Sequence, residues 1–182
     1  MHLYLVRHTQ VDVPRGMCYG RTEVGLAKTN LAEFGVVAKN LEGIKFKYVY
    51  SSPLLRCLKL ANFLNEKLDL PKIIIDDRLQ ELNFGVWETK LWSDIEQMEY
   101  ATGWFHDFVN IPCPNGESYL QLISRAKSFI HDFKMMDTNN NILIVTHGGV
   151  VRAINLLIKN IDPLKAFDLE VDYGQIIKLE IN

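Results

Sequence analysis

No stretch of this chain approaches the roughly 20 consecutive apolar residues that a membrane-spanning helix requires. The opening run Met1-His2-Leu3-Tyr4-Leu5-Val6 is apolar, but it stops at Arg7-His8 and lacks a basic leader. It reads as a strand and not as a secretion signal. Neither sign of charge dominates: 20 Lys and Arg stand against 22 Asp and Glu, a formal net charge of -2. That balance gives no general attraction to nucleic acid or to anionic membranes. Any anion site must come from a few convergent cations. Cysteine is also sparse. Cys18, Cys57 and Cys113 are odd in number and show no paired metal spacing. Free thiols in a reducing compartment fit this better than a disulfide framework, so a cytoplasmic protein is expected. No internal repeat or low-complexity tract interrupts the chain.

What is present has globular proportions. The 182 residues, 48% hydrophobic and 23% charged, suit a single domain over 1–182. An irregular excursion is expected at about 79–116, where periodicity weakens among Trp87, Trp92, Trp104, Phe105 and Phe108. These aromatics read as packing within the excursion rather than as a ligand platform. Elsewhere strands alternate with helices. Residues 2–6, Phe46–Tyr50, Ile73–Ile75, Ile142–Val145 and Gly174–Ile181 carry strand patterns. Leu31, Phe34, Val37, Ala38 and Leu41 mark one helix face, and Leu54, Leu58, Ala61, Leu64 and Leu68 a second. Ser52-Pro53 supplies a start signal for that second helix. A third helix begins near Ser118 with Tyr119, Leu122, Ala126, Phe129 and Phe133 inward, and a turn at 137–141 follows it. Gly148-Gly149 opens a fourth helix, with Val150, Ile154, Leu157 and Ile161 inward. The alternation predicts an α/β fold, three layers α/β/α with a mainly parallel central sheet.

In open sheets of this kind ligands bind beyond the carboxyl ends of the strands. Arg7-His8, Arg56 and His147 all fall just after predicted strand ends. Together they meet the needs of phosphoryl transfer: cations on the non-bridging oxygens, a nucleophile in line, and an acid for the leaving oxygen. His8 is the candidate nucleophile, because guanidinium groups nearby disfavour imidazolium and keep an attacking nitrogen free. Arg7 and Arg56 offer planar forks suited to phosphoryl oxygens. His147, with Gly148 and Gly149 at a helix start, can donate to the same oxygens beside exposed backbone N–H groups. Glu81, within an apolar segment, is the candidate acid and base; Glu88 and Glu117 are the alternatives.

These residues carry a resemblance. Leu5-Val6-Arg7-His8-Thr9-Gln10 resembles the strand-and-RHG signature of the histidine phosphatase superfamily, which includes the phosphoglycerate mutases. Ser51-Ser52-Pro53-Leu54-Leu55-Arg56 is similar to its S-P-x-x-R element, and Glu81 to Glu88 to its E-x-x-F-G-x-W-E block. Val145-Thr146-His147-Gly148-Gly149 resembles its second-histidine block, and Asn115-Gly116-Glu117-Ser118 with Arg125 also fits. The resemblance implies a phosphoglycerate mutase-like fold and a phosphohistidine on His8. It implies a pocket of Arg7, Arg56 and His147, with Glu81 as acid/base and no metal or cofactor. It also places a substrate-contacting segment near Tyr19-Gly20-Arg21-Thr22, which makes Arg21 a candidate contact. The chain departs from the pattern with Thr9 for the usual Gly, Gln10 for Glu, Pro14 for a frequent Asn, and Thr89 for a common Gly.

The expected substrate is a small phosphorylated metabolite. The compact interval between Glu81 and His147 favours a phosphatase over a mutase. The stretch Cys18 to Val24 most resembles the alpha-ribazole-5'-phosphate phosphatases of cobalamin assembly. Two readings from other classes compete: a metal-dependent hydrolase, and a silent phosphate-binding module. The sequence has no H-x-x-x-H or C-x-x-C to serve the first, and it fills every chemical role, which speaks against the second.

Overall fold

The computed structural model describes residues 1–135 and 140–181. Five strands, β1 (His2–Arg7), β2 (Tyr48–Ser51), β3 (Ile73–Ile75), β4 (Asn141–Thr146) and β5 (Ile176–Glu180), form one sheet in the order β3-β2-β4-β1-β5. The first four are mutually parallel, and β5 closes the edge antiparallel to β1. Alternation along the strands explains the layers. Leu3 and Leu5 of β1 and Ile142 and Ile144 of β4 bury into one apolar cluster. Val6, Leu143 and Val145 point the other way into a second. Helices α1 (Asn30–Leu41) and α2 (Leu55–Leu68) cover the second cluster. Two later helices cover the first, so the sheet is sandwiched and both its faces are dry.

Between β3 and those later helices the chain makes two short helices, α3 (Trp92–Ile95) and α4 (Ala101–His106). The long helices α5 (Tyr119–His131) and α6 (Gly148–Lys159) then flank β4 in sequence. Ser118 caps α5 with a reciprocal bond pair: its hydroxyl accepts from Gln121 N, and its own N–H donates to Gln121 Oε1 at 2.7 Å. Every inward residue expected on this helix, Tyr119 through Phe133, is buried. The turn expected at 137–141 lies largely outside the described residues. Among the described residues no helix is long and apolar enough to cross a membrane.

Three local expectations are corrected. Leu31 is 68% exposed, so the buried face of α1 is Phe34, Val37, Ala38 and Leu41. Helix α2 starts at Leu55 with Leu54 as its N-cap, not at Ser52. Its buried face is also rotated: Arg56, Cys57, Leu60, Ala61 and Leu64 point inward, and Leu58 is only half-buried. An arginine displaces leucine from the inner face because the helix starts directly beside the carboxyl end of β2. Apolar periodicity alone cannot register that.

Strand register brings the site residues together. Arg7 pairs with Thr146 and Ser51 with Val145, so His8, Ser52 and His147 leave the sheet side by side at one edge. The neighbours β1 and β4 send their following helices, α1 and α6, to opposite faces, which opens a crevice at that edge. Ser118→Ala removes one half of the α5 cap, and a loss of about 1 kcal/mol is expected in urea unfolding. An unchanged midpoint would show that packing alone holds this helix start.

Candidate active site

His8 is 1% exposed at the mouth of the crevice. Its Nδ1 lies 2.8 Å from the carbonyl oxygen of Thr9. A carbonyl only accepts, so Nδ1 carries the ring proton and Nε2 of the neutral ring keeps a lone pair. Burial, then the Arg56 charge, holds the His8 pKa well below the usual imidazole range, with Arg7 adding to this and the Thr9 bond opposing it. His147 stands 5.1 Å away, ring centroid to ring centroid. It is fully buried; burial first, then His8 and Arg56, lower its pKa as well. Ser52 Oγ sits 2.8 Å from His147 Nε2, and Cys57 Sγ lies 3.5 Å from the same nitrogen. The Ser-Pro signal thus serves the second imidazole rather than a helix cap.

The two cations are held without being neutralised. Arg56, 0% exposed, donates to the carbonyls of Thr22 at 3.0 Å and Gly20 at 2.5 Å. Arg7 donates to Val171 O at 2.6 Å, and its guanidinium lies 3.9 Å over the Tyr173 ring. Among the described residues neither is paired with a carboxylate, and Nε of each is a buried donor with no acceptor. Carbonyls and a π-face fix the forks in place and leave their charge intact. Such an arrangement favours an anion.

Glu81 reaches the same place from the opposite side. Its Oε2 accepts the N–H of Gly149 at 3.1 Å and its Oε1 that of Leu82 at 3.0 Å. A Cβ on Gly149 would fall inside the contact distance of Glu81 Oε1, which is why glycine stands there. A Cβ on Gly148 would crowd Arg152 and approach Arg7 Nε at 3.5 Å. The backbone of Glu81 is pinned by Arg125, which donates to its carbonyl at 3.0 Å, and by Arg21, at 3.2 Å. Both arginines are paired with Glu117, at 2.7 Å and 2.6 Å. Thr146 Oγ1, donating to Leu79 O at 2.8 Å, ties the preceding segment to the end of β4.

Of the seven expected site residues, Arg7, His8, Arg56, Glu81, His147 and Gly148 therefore gather around one crevice. Arg21 sits behind it, its guanidinium engaged with Glu117 and the Glu81 carbonyl. The alternative carboxylates are taken up by the scaffold. Glu88 accepts from the N–H groups of Arg21, Thr22 and Phe84, and Glu117 bridges the two arginines. Four side chains at the crevice are absent from the expected set. Tyr19 and Tyr173 join their hydroxyls at 2.9 Å, with ring centroids 6.5 Å and 5.6 Å from that of His8. Ser52 holds His147, and Arg152, one helical turn beyond Gly148, reaches back towards it. Tyr19 lies in the segment that the resemblance marked and Ser52 in the Ser-Pro element, Arg152 has its four-residue spacing from Gly148, and Tyr173 has no signal.

Comparison with known proteins bears on this geometry. The model of the histidine phosphatase superfamily (branch 1) matches residues 3–182. The chain belongs to that superfamily. It is accordingly an enzyme of the histidine phosphatase type, and its five-stranded sheet between helices is the phosphoglycerate mutase-like fold. A protein of Hydrogenobacter thermophilus named "Putative phosphoserine phosphatase 2" is 31% identical over 182 residues, covering 98% of this chain and 89% of that one. The adenosylcobalamin/alpha-ribazole phosphatase of Escherichia coli is 29% identical over 189 residues, covering 100% and 91%. The crystal structure of the alpha-ribazole phosphatase from Shigella flexneri superposes with a TM-score of 0.91 at 26% identity, covering 100% of this chain and 91% of that one.

Both site histidines should stay uncharged in mildly acid solution. Their ring carbon proton resonances are expected to keep neutral-ring shifts from pH 7.5 to 5.5 by NMR. The folded chain refuses protons that the unfolded chain accepts, so the stability these rings contribute must fall as pH drops below the reference value of 6.5. Titration of His8 at an ordinary imidazole pKa would contradict the burial described.

Proposed function

We propose that the chain hydrolyses a small phosphate monoester through a phosphohistidine on His8. The supporting observation is a neutral imidazole, its Nε2 lone pair free, beside two guanidinium groups that no carboxylate neutralises. The non-bridging oxygens of the phosphoryl group lie against Arg7, Arg56, His147 and the N–H of Gly148, the first residue of α6. His8 Nε2 attacks phosphorus; the N–P bond forms as the bond to the leaving oxygen breaks. Glu81, protonated for this step, gives its proton to that oxygen. Water then attacks phosphorus, Glu81 takes its proton, the N–P bond breaks, and neutral His8 and inorganic phosphate result. The fixed, unneutralised cations stabilise charge on the oxygens in both steps without reorganising. Among the described residues no three His, Cys, Asp or Glu side chains converge in the way a metal site requires.

Relatives of two kinds suggest substrates. Alpha-ribazole-5'-phosphate is the first reading, favoured by the Cys18 to Val24 stretch and by the E. coli and Shigella proteins named above. Phosphoserine is the second, favoured by the H. thermophilus relative at 31% identity. A substrate of either kind calls for no nucleic acid, membrane or cofactor partner. Arg21 acts in this scheme through the Glu81 backbone, holding the acid in place.

His8→Ala is expected to lower kcat by on the order of 10⁴-fold or more while the unfolding midpoint stays close to the parent's. A brief pulse of ³²P-labelled substrate should leave an acid-labile, alkali-stable label on the parent and none on this variant. An unlabelled parent that still turns over would exclude the covalent route. Glu81→Gln should cost about 10²–10⁴-fold on alkyl phosphates and far less on p-nitrophenyl phosphate, whose leaving oxygen needs little protonation. Equal losses on both would assign the acid to another group.

A further inference from the structure

The aromatic residues of the 79–116 stretch do not all pack inside it. Trp87 and Trp104, 1% and 6% exposed, both belong to the core, and Trp104 also presents an edge to a cleft. Trp92, Trp104 and Phe108, joined by Phe167 from the turn Pro163–Asp168, line a cleft whose inner end is Glu81, Gly149 and Arg152. The inner part has a volume of about 150 Å³. It continues into an outer part of about 320 Å³ lined by Trp92, Trp104, Phe105, Phe108 and Phe167. Phe167 and Phe105 stand 60% and 44% exposed along its open side.

We propose that this cleft is the leaving-group subsite, and that it takes a flat, uncharged aromatic or heteroaromatic group carried on the alcohol of the phosphate ester. The inference rests on the phosphatase reading and narrows its substrate class.

Position comes first. An acid must lie within hydrogen-bond reach of the oxygen it protonates. Whatever is attached to that oxygen therefore extends past Glu81, away from the phosphoryl pocket. The aromatic cleft begins at Glu81. Other depressions lie between α5, α6 and the β5 edge and beside Pro112, and no site residue lines them.

The lining then selects chemistry. Glu81 and Arg152 are its charged members. Glu81 is engaged by backbone N–H groups, and Arg152 by the Leu169 carbonyl at 3.0 Å and the Phe167 face at 5.3 Å. A leaving group bearing both an ammonium and a carboxylate would lose water from each and gain little in return. A ring meets ring faces and edges instead. The walls are already shaped: Trp92 and Trp104 stack at 5.8 Å and 19°, and Phe108 and Phe167 meet edge to face at 5.1 Å. Such a cleft is preformed, as ligand sites usually are. Its inner volume is of the order that accepts a benzene-sized ring, about 150 Å³. The outer part leaves room for a second fused ring.

The test is kcat/KM of the whole chain on benzyl, 2-naphthylmethyl and n-propyl phosphate, O-phosphoserine and 3-phosphoglycerate, with p-nitrophenyl phosphate as a general substrate. The three simple primary-alkyl esters release similarly basic alcohols, so their ratios report the subsite rather than leaving-group chemistry. Both arylmethyl esters should exceed n-propyl phosphate at least tenfold, chiefly through KM, with phosphoserine and 3-phosphoglycerate at or below it. Phe167→Ala and Phe105→Ala, at exposed positions, should each shrink the arylmethyl-to-propyl ratio at least threefold. Equal values across the esters, phosphoserine as the best substrate, or a ratio unmoved by both variants would overturn the subsite and leave the phosphatase intact. Turnover of none of the esters would overturn the phosphatase reading and the subsite with it.

Discussion

The geometry depends on one short hydrogen bond, from His8 Nδ1 to the carbonyl of Thr9. That bond fixes the tautomer and turns Nε2 towards the crevice. Burial and the flanking guanidiniums make the neutral ring the stable form. The same bond accounts for a departure from the family pattern. Thr9 stands where glycine is usual, and its role towards His8 is carried by its main chain, which a side chain of any kind leaves available. Its own hydroxyl is buried without a partner among the described residues.

Two unneutralised arginines, Arg56 fully buried and Arg7 half-buried, are costly unless something holds them, and carbonyl oxygens do so here. Arg56 is clasped by the turn carrying Gly20 and Thr22, and Arg7 by the segment carrying Val171. A second network, in which two arginines share one carboxylate, lies beside the first. Arg21 and Arg125 both pair with Glu117 and use remaining N–H groups on the Glu81 carbonyl. The contrast between the two sets is the electrostatic design of the site. Paired arginines position the acid, and unpaired arginines await the anion.

The sequence conveyed the strand-end residues well because their placement follows from topology. Strands β1, β2 and β4 are adjacent and parallel, so residues just beyond their carboxyl ends must meet. A helix start was legible near Ser118, where the cap with Gln121 is local. It was misread at Ser52, whose partner His147 lies 95 residues away. The inward face of α2 was shifted for a related reason: Arg56 breaks the apolar stripe that periodicity follows. Tyr19 carried only the signal of its segment and Tyr173 none, since they come from separate loops and meet only through tertiary packing. The aromatics near Trp92 could not be divided into core and cleft, because burial there depends on Phe167, more than 60 residues downstream.

Chemistry and selectivity rest on different kinds of structure, and Gly149 is where they meet. The nucleophile and cations stand at the ends of strands locked by ladder hydrogen bonds. The aromatic cleft is built from helices of only four and six residues and from a turn. Elements that short have little backbone cooperativity of their own and are held by the rings they carry. Exchanging one ring there alters the shape offered to a leaving group and leaves the sheet edge unchanged. Glu81 belongs to both parts, since it closes the cleft and bonds the first turn of α6. A Cβ at position 149 would clash with the Glu81 carboxylate, so the acid would have to leave its place at the helix start. The absence of a Cβ at that point lets one carboxylate serve both.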